Sequence, residues 1–303
     1  MIKNILITGG SGLVGSKLTE LLLDKNYNVS HLSRSKPKTK SNGVTVYNWD
    51  VQKGTIQDEA ILSSDCIVHL AGAGVADERW TDSRKKTLLE SRTKSAGLLI
   101  SKIKELNHKP KLFISASAIG FYGNTEDKWV DEKQSQGTDF LAELCVEWEK
   151  AAKEIQTLDI PYNINRIGLV LSREGGALSE IEKSLHFGIA GYLGNGSQYM
   201  SWIHIDDLCR QFIHCIEGHT ASNEIYNATA PHPEKNIDFT KQLSKSAGKG
   251  ILLPVPSFAL KLMKGEMSEM LLTGQRVSSK KIQSTGFEFK FSDLATALDD
   301  LYA

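Results

Sequence analysis

Short apolar runs alternate along this chain with longer stretches in which apolar positions recur every three or four residues. Ile5-Leu6-Ile7 is the first short run, and Leu18, Leu21 and Leu22 make one face of the helical pattern after it. The period changes from continuous apolar to about 3.6, which predicts a buried strand followed by an amphipathic helix. Tyr27 to Arg34 reads as a second strand and its end, Val44 to Trp49 as a third closed by Asp50, and Asp65 to Leu70 as a fourth. A long helix is predicted over 82–106, with Leu88, Leu89, Leu98, Leu99 and Ile103 on its apolar face and Pro110 beyond its end. Lys111 to Ser115 is a fifth strand, 124–139 a polar loop, Phe140 to Ile155 an amphipathic helix and Tyr162 to Ile167 a sixth strand. This alternation predicts an α/β fold, a doubly wound parallel sheet of the Rossmann type.

The rhythm changes at Gly168. Glycines crowd 188–196, and Ser201 to Asp207 reads as a short strand entering a helix with Asp206 or Asp207 as N-cap. Ile225 to Ala228 is another short strand. Helices are predicted over 239–247 and 258–272, separated by Pro254-Val255-Pro256, and over 293–301. The expected division is a dinucleotide-binding domain of residues 1–167, joined by 200–230, and a smaller C-terminal α/β substrate domain of 168–199 and 231–303.

The length of 303 residues suits such a fold, and 40% hydrophobic with 24% charged residues is an ordinary soluble composition. Lys+Arg and Asp+Glu both number 36, so no net field draws in nucleic acid or an anionic membrane. No apolar run approaches the roughly 20 residues that span a bilayer. Charged Lys3 runs directly into a strand, unlike a signal peptide. The four cysteines, Cys66, Cys145, Cys209 and Cys215, form no C-x-x-C pair, and no metal-ligand cluster stands out. A reducing, cytoplasmic location and no metal are therefore expected.

The chemistry starts in the turn after the first strand. Gly9, Gly12 and Gly15 lie in Thr8-Gly9-Gly10-Ser11-Gly12-Leu13-Val14-Gly15. Strand, glycine loop and helix in this order form a dinucleotide fingerprint. Gly9 permits the tight turn, Gly12 lets the backbone approach a pyrophosphate, and Gly15 lets helix and strand pack closely. Ser11, Gly12, Leu13 and Val14 sit at the helix N-terminus, whose free N–H groups suit phosphates. The second strand ends in Ser33-Arg34 with no acid. An acid at that point suits the 2′-OH of NAD and an arginine the 2′-phosphate of NADP, so NADP(H) is favoured over NAD(H). Asp50 is read either as an adenine partner or as a turn cap. Leu70, Ala71 and Gly72 leave space for a ligand at the carboxyl edge of the sheet, whereas His69 reads as a packed histidine.

Several further motifs lie along the chain. His69-Leu70-Ala71-Gly72 follows the fourth strand, and Ser115-Ala116-Ser117-Ala118-Ile119-Gly120-Phe121-Tyr122-Gly123 the fifth. Beyond them come Cys145-Val146-Glu147-Trp148-Glu149, Arg166-Ile167-Gly168 and Ser201-Trp202-Ile203-His204-Ile205-Asp206-Asp207-Leu208. With the tail motifs Pro254-Val255-Pro256, Gly265-Glu266-Met267 and Gly286-Phe287, the chain resembles, nearly end to end, the extended, atypical short-chain dehydrogenase/reductase superfamily. Within it the chain is similar to the epimerase-family subgroup related to the bacterial YfcH-type proteins, which carry a small C-terminal domain. The resemblance adds Ser115 and Arg166 to the cofactor residues and implies a serine plus a tyrosine and lysine four residues apart. In that pair the lysine lowers the tyrosine pKa for acid–base work on a substrate oxygen.

The match breaks at this pair. Ser117 corresponds to the serine, but Tyr122 falls one residue late. Depending on register, Leu141 and Cys145 or Cys145 and Glu149 replace the tyrosine and lysine. Ser117 and Tyr122 are the candidate catalytic residues, while Cys145, Trp202 and His204 are placed at the substrate cleft. Each has a plain reading beside it. Cys145 is a buried small residue, Glu149 a salt-bridged carboxylate, Trp202 packing between sheet and C-terminal domain, and Arg166 a partner of an acid such as Asp206. The resemblance implies an oxidoreductase, epimerase or dehydratase acting on a small polar, nucleotide-sugar-like substrate. The alternative is a non-catalytic NADP(H)-binding sensor or protein-interaction module, as relatives named cell-division inhibitors suggest. A homodimer through the helices at 82–106 and 140–155, or another protein partner, stays open.

Overall fold

The computed structural model describes residues 1–303. Seven parallel strands form its spine: β1 (Asn4–Thr8), β2 (Asn28–Ser33), β3 (Thr45–Asp50), β4 (Cys66–His69), β5 (Leu112–Ala118), β6 (Tyr162–Ile167) and β7 (Glu224–Ala228). Their spatial order is β7-β6-β5-β4-β1-β2-β3. Two short antiparallel strands, Lys38–Thr39 and Thr55–Ile56, pair with β3 and bring the sheet to nine. The strand order reverses between β1 and β4, which opens a crevice at their carboxyl ends.

The central strands are buried on both faces, as helices covering a parallel sheet require. Successive residues of a strand point to opposite faces. Ile5 and Ile7 accordingly join one apolar cluster with helices α1 (Leu13–Asp24) and, later in the chain, Ile205–Ile216. Leu6 joins the other with α2 (Asp82–Glu105) and α3 (Phe140–Lys153). A third cluster is built from Leu171, Leu178, Trp202, Phe239, Leu243, Phe291, Leu298 and their neighbours. No helix is long and apolar enough to cross a membrane.

The structure revises four local expectations. The helix after the Trp202–His204 strand, α4 (Ile205–Ile216), is capped by His204 and not by Asp206 or Asp207: its Nδ1 accepts from the Asp206 N–H at 3.1 Å. The stretch 258–272 is not one helix, because Gly265, with φ at +59°, ends Ser257–Lys264 before Gly265–Ser268 and Glu269–Leu272 begin. Pro254 lies inside a strand, Ile251–Val255, in a two-stranded parallel pair with Ile189–Leu193, where every strand is an edge. The loop at 124–139 contains Trp129–Val130, which pairs with Arg276–Val277 and ties the C-terminal segment to the sheet domain.

Candidate functional site

The crevice is walled on one side by the turn between β1 and α1. Gly12 is the N-cap of α1 and no side chain caps it, so the first-turn N–H groups, those of Leu13 and Val14 among them, face outward unpaired. Two close approaches hold the turn in shape. A side chain at Gly15 would run into the Gly9 carbonyl oxygen, so helix and loop meet backbone to backbone. A Cβ at Gly10 would lie 2.6 Å from the His31 ring. His31 is buried beneath the loop and shares a 2.8 Å hydrogen bond with Thr19 Oγ1, while burial lowers its pKa to about 4. The only signal of this pair in the sequence is a second glycine beside Gly9.

Thr8 joins the turn to the other wall. Its Oγ1 accepts from the Leu70 and Ala71 N–H groups, both at 3.1 Å, and shares a 2.8 Å bond with His69 Nδ1. His69 is fully buried, also meets Ser95 Oγ at 3.2 Å, and is held to a pKa of about 4 by burial. It is a packed histidine, as expected. At the end of β2, Ser33 Oγ lies 3.0 Å from Ser35 Oγ. Arg34 is exposed and its guanidinium forms no ion pair. Asp50 caps its own turn, accepting from the N–H groups of Gln52 at 3.0 Å and Lys53 at 3.1 Å.

At the β5 end the polar groups bind one another. Ser117, Arg166 and Asn227 stand side by side on β5, β6 and β7. Arg166 forks onto Glu149 of α3, Nε to Oε1 at 2.7 Å and Nη2 to Oε2 at 3.0 Å. Burial works against the Arg166 charge, but Glu149 outweighs it and holds the guanidinium above its ordinary value. Its third direction, Nη1, donates to Tyr122 Oη at 3.0 Å, and its plane lies over the Phe121 ring at 3.4 Å from the centroid. Tyr122 donates to Asn227 Oδ1 at 2.7 Å, and Ser117 donates to Glu149 Oε1 at 2.9 Å.

Both candidate catalytic hydroxyls are therefore buried and engaged. Burial, only partly countered by Arg166, raises the Tyr122 phenol to about 12. Cys145 beside Ser117 is also pushed by burial to about 12, which makes it an inert thiol. Arg166 pairs with Glu149 and not with Asp206. Ser115 is fully buried and its hydroxyl donates to the Ala116 carbonyl. Trp202 and His204 are not cleft residues either. Trp202 is wholly enclosed in the third cluster and donates to the His232 carbonyl at 3.0 Å. His204 is buried against Phe291, with ring centroids 4.0 Å apart.

A buried arginine also stands near this end of the crevice. Arg92 interrupts the inward stripe of α2, between Leu88 and Leu99, and is buried. Its guanidinium lies over the Trp148 ring and donates to the Leu88 and Ala73 carbonyls, both at 3.0 Å. An arginine inside an apolar helical stripe was the available signal.

A glycine-turn crevice, a β1/β4 switch point and an altered β5–α3 end together specify a fold family, and comparison with known proteins agrees. The family model described as "NAD dependent epimerase/dehydratase family" matches residues 5–229, and "Domain of unknown function (DUF1731)" matches 255–301. The chain belongs to the NAD dependent epimerase/dehydratase family. Epimerase family protein SSP1921 of Staphylococcus saprophyticus is 35% identical over 301 residues, covering 99% of both chains. Epimerase family protein SAR0825 of Staphylococcus aureus is 36% identical over 303 residues, again at 99% of each. Among solved structures, human epimerase family protein SDR39U1 with NADPH superposes with a TM-score of 0.86 at 28% identity, covering 99% of each chain. UDP-glucuronic acid 4-epimerase from Bacillus cereus with NAD shares the fold, with a TM-score of 0.78 at 18% identity over 99% of this chain and 95% of that one. In this epimerase-family chain the glycine turn leaves its backbone donors free, whereas the polar groups at the β5–α3 end bind one another.

Proposed function

We propose that this protein binds NADP(H) across the β1/β4 crevice and acts as a dinucleotide-responsive binding module. The uncapped N-terminus of α1 receives the pyrophosphate, the exposed Arg34 the 2′-phosphate, and the Leu70–Gly72 segment forms the floor. The observation that carries this reading is the contrast in free donors: those at the glycine turn and Arg34 are unpaired, while Ser117 and Tyr122 are taken up by Glu149 and Asn227. The human relative was solved with NADPH, which supports the choice of dinucleotide. Bound NADPH supplies a hydride equivalent. Among this chain's residues, Ser117, Tyr122 and Cys145 hold their protons in buried hydrogen bonds or behind raised pKa values.

A second reading, an oxidoreductase, epimerase or dehydratase on a small polar substrate, is favoured by the C-terminal segment that roofs the loop after β4. Lys85 meets Glu266 at 2.5 Å, and Arg79 donates to the Leu262 carbonyl at 3.2 Å. There a substrate hydroxyl or water would have to carry the proton.

Fluorescence titration with NADPH and NADH tests the first reading. Arg34→Ala should weaken NADPH by roughly ten- to a hundredfold and leave NADH nearly unchanged, because a charge-assisted contact is lost. Equal loss for both dinucleotides removes Arg34 from the phosphate site. Purified protein with NADPH and a panel of aldehydes, ketones and nucleotide sugars should show no change in NADPH absorbance. Turnover that disappears in Tyr122→Phe or Ser117→Ala would instead establish the second reading.

A further inference from the structure

Arg92 carries a charge that no carboxylate in the fold neutralises, its guanidinium resting on the Trp148 ring. It is 7% exposed, yet no carboxylate lies within ion-pair distance. Its partners are the carbonyl oxygens of Leu88 and Ala73, with Ser91 Oγ at 3.5 Å, and its Nε is buried without any partner. Buried cations are ordinarily paired, since an isolated charge in a low dielectric is costly. The buried carboxylate of α3, Glu149, is held in its fork with Arg166. The Cys145 thiol beside Arg92 stays protonated and offers no counter-charge.

The location of this charge is informative. A Cβ on Gly72 would lie 3.1 Å from Arg92 Cζ, so the guanidinium sits directly under the backbone that leaves β4 at the crevice. A dinucleotide lies across such a crevice with one nucleotide half on each side of the switch point. Arg34 marks the β2 side as the adenosine half. The β4–β5 side, above Arg92, is then the nicotinamide half. The oxidised nicotinamide ring carries a positive charge and the reduced ring none.

We infer that Arg92 is a specificity-determining residue for oxidation state: its uncompensated charge beneath Gly72 and Ala73 disfavours NADP⁺ and selects NADPH. The inference rests on the NADP(H)-binding reading and gives that module a signal to respond to, the ratio of reduced to oxidised dinucleotide. One unit charge several ångströms from another in a protein interior changes affinity by roughly tenfold or more.

The test is the dissociation constant of NADPH and of NADP⁺, each measured by calorimetry on the full chain. The wild-type protein should bind NADPH at least about tenfold more tightly. Arg92→Met should bring the ratio close to one, and Arg92→Lys, which keeps the charge but not the fork, should weaken both ligands while preserving most of the preference. A purely structural role for Arg92 changes both affinities together and leaves their ratio alone, which overturns the inference. Equal wild-type affinities overturn it too, and this holds even if Arg92→Met fails to fold. NADPH that does not bind the wild-type chain at all counts against the binding reading itself, whereas tight binding without redox preference counts against Arg92 alone.

Discussion

The two ends of the crevice treat their polar groups in opposite ways. At the β1–β2 end the backbone is pinned by buried neutral contacts, Gly10 on His31 and Thr8 on His69, and the donors that face outward are left unpaired. At the β5–β7 end the outward-capable groups point inward and saturate one another through Ser117, Glu149, Arg166, Tyr122 and Asn227. A site for a ligand needs donors that the fold leaves unsatisfied, whereas a buried network is stable only when nearly every member is satisfied. The first end is built to receive and the second to hold. The comparison separates a turn that leaves donors open to a ligand from a strand end whose polar groups are spent on one another.

The sharpest way to break this comparison is to remove one member of the saturated end. Glu149→Gln leaves the Arg166 charge buried and unpaired and should cost about 3–5 kcal/mol of stability, read as a lowered urea midpoint. Glu149→Gln combined with Arg166→Met should recover much of it. If the single variant is as stable as the parent, the network is not holding this end together.

A smaller effect is expected from the pinned end. The folded pKa of His69 is about 4, below its ordinary 6.5. Between those values the unfolded chain binds a proton that the folded chain refuses, so this contribution is fully present above pH 6.5 and is lost as pH falls toward 4. The cost at pH 5 is about 2 kcal/mol for this residue. His69→Asn removes this share and should reduce, without abolishing, the fall in melting temperature between pH 7 and pH 5, because His31, also held to about 4 by burial, keeps its own. An unchanged slope assigns the acid sensitivity elsewhere.

Ser117→Ala should have the smallest effect, about 1 kcal/mol, because Glu149 keeps both arms of its fork to Arg166 after losing one hydroxyl. NADPH affinity should not move. A large loss of NADPH binding in this variant would show that Ser117 faces the ligand after all and would blur the contrast between the two ends.

The long elements of the first 167 residues were legible because each is a local pattern, whereas the short strands Lys38–Thr39, Thr55–Ile56 and Trp129–Val130 were not. Ile5 to Ile7 is a run buried on both faces, and Asp82–Glu105 follows a 3.6 period that ends before a downstream proline. The C-terminal third was read less well. Gly265 divides a stretch that periodicity joins, and Pro254 sits in a two-stranded pair that no local signal announces. Of the candidate site, spacing and position alone name the glycine turn and Arg34. His204 was misplaced at the cleft, and Trp202 follows its packing reading and not the cleft one, because a motif says which residues recur together and not which way they face.

What the sequence alone determined is therefore the sheet, the dinucleotide turn and the absence of the tyrosine–lysine pair. Each is written in residues a few positions apart, where backbone geometry and periodicity act. What only the tertiary structure decided is which polar groups are free. Ser117 reaches Glu149 across 32 positions and Tyr122 reaches Asn227 across 105. Arg92 is exceptional for lacking any carboxylate at all in such a buried place. Hydrogen-bond satisfaction is a property of neighbours in space, so the closed network at the β5 end becomes visible only when the strands lie side by side.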